Sequence, residues 1–127
     1  MKLLLDTHAF MWMDSEPEKL SARAQELCRS PENTLMISVV SLWEMQIKIQ
    51  LGKLKLKMPL AELIREQREN GVGVLPVEAA HIFALASLPD HHKDPFDRLL
   101  VAQAITEGMV LVSSDPMIAQ YPENVVW

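Results

Sequence analysis

Short apolar runs recur along the chain and predict β-strands that are buried on both faces. The runs span residues 2–5, 34–37, 72–74, 109–112 and 125–127. They lack the alternation of apolar and polar residues that is typical of a strand with one face in water. The pattern therefore favours strands of a parallel sheet with helices packed on both sides.

Helical patterns fill the intervals between these strands. They span residues 22–29, 39–51, 61–70, 78–87 and 95–107, and a glycine directly follows three of them. A glycine in this position is typical of a left-handed C-terminal cap, which a Cβ atom would strain. Strands that alternate with helices predict right-handed crossovers and a three-layer α/β fold, with a central parallel sheet flanked by helices.

Length and composition favour one compact domain over residues 1–127. The 127 residues are 49% hydrophobic and 23% charged, a composition too apolar for a disordered chain. The single cysteine, Cys28, cannot form an internal disulfide, and Asp6 interrupts the first apolar run far short of a signal or membrane segment. We therefore expect a cytoplasmic protein with no membrane partner.

The charge balance argues against binding of nucleic acid by bulk electrostatics. Twelve basic residues against 17 acidic ones give a net charge of -5, so a role with nucleic acid requires a local site. Lys48, Lys53, Lys55 and Lys57 occur with no acid between them and are candidates, although a solvated surface is the slightly preferred explanation. Apolar residues alternate with the last three, which predicts an extended segment with these lysines on one face.

Acidic residues recur where the predicted fold brings them to one edge of the sheet. Asp6 ends the first strand, Asp115 follows the fourth, Glu44 lies early in the helix after the second, and Asp94 and Asp97 flank the start of the last helix. Carboxylates that converge without a lysine or arginine repel one another, so their pKa values rise or a divalent cation binds them. An oxygen-rich pocket of this kind suits Mg²⁺ or Mn²⁺.

Helix capping is a competing explanation for each acid taken alone. Asp6 can cap a helix, Ser41 and Glu44 have the spacing of a capping box, and Asp94 and Asp115 each precede a proline. Function is favoured by the joint placement of the acids at the carboxyl edge of the sheet, where this fold class builds its sites. Hydroxyl side chains next to the acids can orient them or cap turns: Thr7, Ser113 and Ser114.

Two neighbouring histidines are the nearest approach to a transition-metal motif. His91 and His92 precede Asp94, but no further histidine or cysteine stands at ligand spacing. A polar loop before a helix is the better explanation of the pair, and we discount zinc.

Four segments carry a more specific pattern: LLLDTH at 3–8, SVVSLWE at 38–44, HKDPFDRLLVAQA at 92–104 and VSSD at 112–115. Together they resemble the PIN domain family, and within it the VapC type of bacterial toxin ribonuclease. The resemblance covers essentially the whole chain, and the third segment is the most specific. It implies a Rossmann-like parallel sheet and Mg²⁺-dependent cleavage of RNA.

The resemblance also implies site residues and partners. The four acidic positions of the family fall on Asp6, Glu44, Asp97 and Asp115. We expect Asp6 and Asp97 to be direct ligands of Mg²⁺ or Mn²⁺. The implied partners are an RNA substrate, a second copy in a homodimer, and a cognate antitoxin whose basic C-terminal segment reaches the acids.

Other classes of protein that carry acids at strand ends are alternatives to this prediction. A signalling receiver requires an acid pair after the first strand, whereas Thr7 and His8 follow Asp6. A phosphatase with an Asp-x-Asp motif fails for the same reason. The remaining alternative is a catalytically silent PIN-like module that binds RNA or protein without cutting.

Overall fold

Five parallel strands form the central sheet of the structure, a computed structural model that describes residues 1–121 and 124–127. The order across the sheet is β3-β2-β1-β4-β5, so β1 lies at its centre. Every pairing is parallel, as the apolar runs predicted. In chain order the strands are β1 (Lys2–Leu5), β2 (Thr34–Ser38), β3 (Gly73–Leu75), β4 (Val110–Val112) and β5 (Val125–Val126).

Six α-helices lie between the strands of the described ranges. They are α1 (Thr7–Ser15), α2 (Ala22–Arg29), α3 (Val39–Gln50), α4 (Leu60–Glu69), α5 (Ala79–Ala84) and α6 (Pro95–Glu107). The helix predicted over 78–87 is shorter than expected, because its last three residues tighten into a 3₁₀ turn ahead of Pro89. None of the helices described is long and apolar enough to cross a membrane.

Successive residues of β1 point to opposite faces of the sheet, and both faces are buried. Leu3 and Leu5 pack in one apolar cluster with Phe10 of α1, whereas Leu4 packs in a second cluster with Leu100 of α6. All three leucines of the strand are inaccessible to solvent. The sheet is therefore the middle of three layers, as predicted.

The C-terminal end of α6 shows the glycine cap that the sequence predicted. Gly108 adopts a φ of 65°, in the left-handed region that a side chain would strain. Its backbone N–H bonds back to the carbonyls of the last turn. The chain can then reverse directly into β4, whose carboxyl end carries one of the candidate acids.

The segment between α3 and α4 has the predicted alternation without forming a strand. Lys53, Lys55 and Lys57 are exposed, while Leu54 and Leu56 between them pack against the core. The three lysines therefore stand together on the solvent side of an extended loop.

Candidate active site

Four carboxylates approach one another at the carboxyl ends of β1 and β4. Asp6 directly follows β1, Asp115 follows β4, Glu44 lies in the second turn of α3, and Asp97 lies in the first turn of α6. Asp6 is close enough to Asp115 for its pKa to be raised by that charge, and Asp97 is influenced in the same way by both Glu44 and Asp115. The structure thus brings the four predicted acids together.

Asp6 is the most buried of the four acids, with 6% of its surface exposed. Its Oδ1 accepts a hydrogen bond of 2.7 Å from the backbone N–H of Ala9 and so caps α1. Burial raises the pKa of Asp6, while hydrogen bonds from Ser113 and Ala9 act to lower it. Capping and site placement are therefore compatible, because the cap fixes this carboxylate at the edge of the sheet.

Asp97 has a pKa well above the ordinary value of an aspartate. Its pKa is raised to about 6, first by burial and next by the charge of Asp94. His92 lowers the pKa, whereas Glu44 and Asp115 raise it further. A carboxylate in these surroundings favours a proton or a bound cation.

Asp94 is the N-cap of α6, as the sequence predicted. Its Oδ1 accepts hydrogen bonds from the backbone N–H groups of Phe96 at 2.8 Å and Asp97 at 3.2 Å. Pro95 occupies the first helical position, where its missing N–H costs nothing. The cap holds the first turn of α6, and with it Asp97, at the carboxyl edge of the sheet.

Glu44 is held by a hydroxyl group and by a lysine. Thr7 Oγ1 lies 2.6 Å from Glu44 Oε1, and the same hydroxyl lies 3.0 Å from Ser41 Oγ. Lys48 Nζ lies 3.5 Å from Glu44 Oε2, one helical turn further along α3. The expectation that no lysine or arginine accompanies the acids is therefore wrong at Glu44, because residues four apart share a helix face.

The capping box predicted for Ser41 and Glu44 is not formed. The helix α3 begins at Val39, as the helical pattern over 39–51 predicted, and its N-cap is therefore Ser38, whose Oγ accepts a hydrogen bond of 3.0 Å from the N–H of Val40. Ser41 is consequently buried within the first turn. The side chain of Glu44 is left available to the acid cluster.

Ser38 also links the two helices that carry Glu44 and Asp97. Its Oγ donates a hydrogen bond of 2.6 Å to Oε1 of the fully buried Gln103 on α6. Gln103 Nε2 in turn donates to the carbonyl of Pro76 at 3.2 Å. This buried polar contact fixes α3 relative to α6, because breaking it would leave buried groups without partners.

His92 lies at the acid cluster, although the sequence favoured a polar loop before a helix over a metal site for this residue. Its Nε2 lies 2.8 Å from Asp97 Oδ2 and 3.4 Å from Asp115 Oδ2. Its Nδ1 accepts a hydrogen bond from the N–H of Asp94 at 3.2 Å, so the N–H of the ring is at Nε2, which faces the acids. Neither carboxylate is aligned with that N–H, so the contact is electrostatic. The prediction that His92 is only a residue of a polar loop is wrong. Its position two residues before the Asp94 cap was the feature of the sequence that could have placed it near the acids.

Arg98, the basic neighbour of Asp97 in sequence, does not neutralise that acid. Its guanidinium donates to the carbonyls of Pro89 at 3.2 Å and His92 at 3.3 Å, and it lies 3.4 Å from Asp90. Arg98 therefore braces the loop that carries His92.

Asp115 is positioned by its own turn. Its backbone N–H donates to the Oγ of the buried Ser113 at 3.1 Å, and its Oδ1 accepts from the N–H of Met117 at 2.8 Å. Ser114 is exposed. The turn leaves Asp115 Oδ2 directed toward the side of the site where His92 lies.

Among the residues that the structure describes, three side chains come closest to the geometry of metal ligands. One ligand atom each of His92, Asp97 and Asp115 lie within 4.8 Å of one another. Asp6 is not a member of this trio. The assignment of Asp6 and Asp97 as direct ligands therefore stays a prediction.

Comparison with known sequences is consistent with this architecture. The sequence pattern of the PIN domain family matches residues 3–124. The chain is also 32% identical to Ribonuclease VapC22 of Mycobacterium tuberculosis, over 98% of each chain. In an α/β protein with a parallel sheet, acids at the carboxyl edge lie where this class of fold has its functional site. The chain belongs to the PIN domain family, and within it to the VapC type.

Solved structures share the fold at lower sequence identity. VapBC2 from Rickettsia felis, bound to a DNA fragment from its promoter, has a TM-score of 0.71 at 20% identity, covering 99% of this chain and 96% of that one. VapBC-1 from nontypeable Haemophilus influenzae scores 0.66 at 20% identity, covering 100% and 96%. A toxin-antitoxin complex from Klebsiella pneumoniae scores 0.62 at 15% identity, covering 98% and 96%. These likenesses confirm the Rossmann-like, three-layer fold.

Proposed function

We propose that residues 1–127 act as one PIN domain, a metal-dependent endoribonuclease that serves in the cytoplasm as the toxin of a toxin-antitoxin pair. The observation that carries the proposal is the convergence of Asp6, Glu44, Asp97 and Asp115, with the pKa of Asp97 raised to about 6. The similarity to a protein named Ribonuclease VapC22 supports cleavage of RNA.

The donor set of the site fits a hard divalent cation. Carboxylate oxygens are the ligands that Mg²⁺ and Mn²⁺ prefer, and the raised pKa of Asp97 marks a site where an added positive charge is favourable. We assign Asp6 and Asp97 as direct ligands. Glu44 and Asp115 would complete the coordination of a bound ion, directly or through waters that Mg²⁺ releases reluctantly.

The residues of the chain have distinct parts in phosphodiester hydrolysis. A divalent ion, when bound, activates water and stabilises charge on the phosphate oxygens. One of the four carboxylates accepts the proton of the attacking water, and Asp115, the most exposed of them, is placed to pass that proton to solvent. Thr7 holds Glu44, and the Nε2–H of His92 restrains Asp97 and Asp115.

We also infer that an antitoxin binds the chain and silences the site. Three proteins with the same fold are described as VapBC or toxin-antitoxin complexes. An arginine can pair bidentately with carboxylates and so compete with metal and substrate. A basic, helical C-terminal segment of the antitoxin is the expected inhibitor. Assembly of two copies into a homodimer stays a prediction.

A cleavage assay with purified chain, freed of any partner, tests the proposal. Structured RNA should be cut in the presence of Mg²⁺ or Mn²⁺, and cutting should stop when EDTA is added. Induction of the wild-type chain should also arrest growth of a bacterial host, whereas Asp6→Asn should not. RNA binding without cleavage in either metal would favour the catalytically silent module instead.

A further inference from the structure

An exposed tryptophan stands beside the acid cluster. Trp43 keeps 61% of its surface in contact with solvent. Its indole packs edge-on against the ring of Phe96, with the ring centroids 5.1 Å apart and the planes at 68°. Trp43 directly precedes Glu44 on α3, and Phe96 directly precedes Asp97 on α6. The aromatic pair is thus joined to two of the four acids by single peptide links.

The fold does not use this tryptophan as it uses the others. Trp12 is partly buried and packs against the rings of His8, at 5.7 Å, and Trp127, at 5.9 Å. Trp43, in contrast, contacts one ring and presents most of its surface to water. A large aromatic side chain exposed next to a site is a recognised feature of surfaces that bind a ligand.

We propose that Trp43, braced by Phe96, stacks an unpaired nucleobase of the RNA next to the phosphate that is cut. The inference rests on the proposed ribonuclease function and names the part of the substrate that this surface contacts. Single-stranded RNA is commonly held by stacking of its splayed bases on aromatic rings. Phe96 supports one side of the indole, and the rest of the indole surface stays open to a base.

The charge of the chain favours a base, rather than a phosphate, as the part of the RNA that contacts Trp43. The net charge is -5, and the four acids beside Trp43 repel the phosphates of RNA. Added lysines near Trp43 would neutralise the acids. An uncharged stacking contact instead adds affinity for RNA and leaves the charge of the acids unchanged. Because every base has an aromatic face, such a contact tolerates different sequences.

Binding of short single-stranded oligonucleotides tests the proposal without relying on cleavage. The probes are a labelled adenosine oligomer and an abasic oligomer of the same length, measured by fluorescence anisotropy with Ca²⁺ in place of Mg²⁺. The variants are Trp43→Leu and Trp43→Phe, which both keep an apolar contact with Phe96 and differ in their aromatic face. Phe83→Leu is the remote control, because Phe83 is 73% exposed and lies on α5, whose His81 contacts Glu107 at the opposite end of α6 from Asp97.

The expected result is a loss confined to the base and to the aromatic face. Trp43→Leu should bind the adenosine oligomer about 5- to 150-fold more weakly than the wild type, the range for one base on one aromatic ring. Trp43→Phe should retain most of the affinity, and Phe83→Leu all of it. On the abasic oligomer the variants should match the wild type. Equal losses on both oligomers, or no loss with Trp43→Leu, would overturn the proposal.

The outcomes separate this inference from the proposed function. A wild-type chain that cuts RNA, with a Trp43→Leu variant that cuts and binds equally well, overturns stacking and leaves the nuclease intact. Aromatic-dependent binding without any cutting supports stacking of a base on Trp43 but overturns both the nuclease and the placement of that base beside a cut phosphate. Failure of the wild type to bind or cut overturns both. A Trp43→Leu variant that loses only a protein partner would assign the surface to that partner and overturn the proposal.

Discussion

Thr7 Oγ1 lies 2.6 Å from Glu44 Oε1 and joins the first turn of α1 to the second turn of α3. An ionised carboxylate can only accept, so the hydroxyl proton of Thr7 goes to Glu44. Thr7 also follows Asp6 directly in the chain. Two consecutive residues at the end of β1 therefore supply one acid of the site and fix another.

Replacing Thr7 with valine should lower the cleavage rate while preserving the fold. The valine keeps the shape of threonine but leaves Glu44 without its donor, and loss of such a supporting hydrogen bond commonly costs about 10- to 100-fold in activity or metal affinity. Single-turnover cleavage measures the effect. Thr7→Ser, which keeps the hydroxyl, should restore most of the rate, and equal rates for the valine and serine variants would show that the hydrogen bond is irrelevant.

The raised pKa of Asp97 predicts how stability depends on pH in the absence of metal. The folded chain holds the Asp97 proton up to about pH 6, whereas the unfolded chain releases it near its ordinary value. The folded state therefore binds more protons in this window, and its stability falls as the pH rises from about 4 to about 6. Asp97→Asn removes this loss and should be more stable than the wild type at pH 7 by about 1 to 2 kcal/mol, after allowance for partial exposure.

Unfolding of both chains in denaturant with EDTA, followed from pH 4 to pH 7, checks this expectation. The two free energies should converge near pH 4. The control is Asp90→Asn, because the side chain of Asp90 is 83% exposed. Added Mg²⁺ should stabilise the wild type more than Asp97→Asn. A stability difference that widens as the pH falls would contradict the account.

Local signals in the sequence predicted much of the site. Asp94 before Pro95 is a cap signal that neighbouring backbone atoms satisfy, and α6 begins where that signal places it. The apolar runs predicted the parallel sheet, and the parallel sheet places residues that follow its strands at one edge. Asp6 and Asp115 could therefore be brought together by inference, because they follow neighbouring parallel strands, and the turn after β4 then sets the position of Asp115.

The remaining features depend on contacts between distant parts of the chain or on a choice between equal signals. Ser38 and Ser41 are both suitable N-caps, and the end of β2 decides in favour of Ser38. His92 reaches the acids through the path of its loop, which no periodicity predicts. The contact of Lys48 with Glu44 could have been predicted, because residues four apart share a helix face. Lys48 was instead grouped with the lysines at 53, 55 and 57.

The lysines at 53, 55 and 57 should contact RNA phosphates without selecting a sequence. Replacing all three with glutamine should weaken RNA binding for every sequence, and the logarithm of the affinity should fall less steeply with salt, by up to about 0.7 per lost phosphate contact on single strands. The position of cutting should not change. Oligonucleotide binding at several salt concentrations measures both effects.

The matched control for these lysines removes three positive charges elsewhere. Lys19, Arg65 and Arg68 are exposed at other positions, and their glutamine variants change the net charge equally. A similar loss of affinity in both triple variants would indicate bulk charge. Unchanged affinity and salt dependence in the variant of residues 53, 55 and 57 would show that these lysines are solvated surface residues without a contact to RNA.

A neighbouring gene should encode a small protein whose basic C-terminal segment inhibits the site. Co-expression should restore growth and block cleavage. Replacing the arginines of that segment should restore cleavage more than it weakens the complex, because apolar contacts still hold the partner. Lys48 already accompanies Glu44, so we expect the arginine to pair with Asp97 or Asp115. Absence of any binding partner would remove the antitoxin from the account and leave the nuclease standing.

The rate of RNA cleavage by Asp97→Asn is the most direct test of the acid site. It should be measured in single turnover at saturating Mg²⁺, beside the wild type and Asp90→Asn, with the folded state of each chain verified by thermal melting. Loss of one carboxylate that holds the metal should slow cleavage at least about a hundredfold, and the exposed Asp90 should be replaceable without effect. Cleavage by Asp97→Asn at the wild-type rate, or undiminished cleavage in EDTA, would contradict the account.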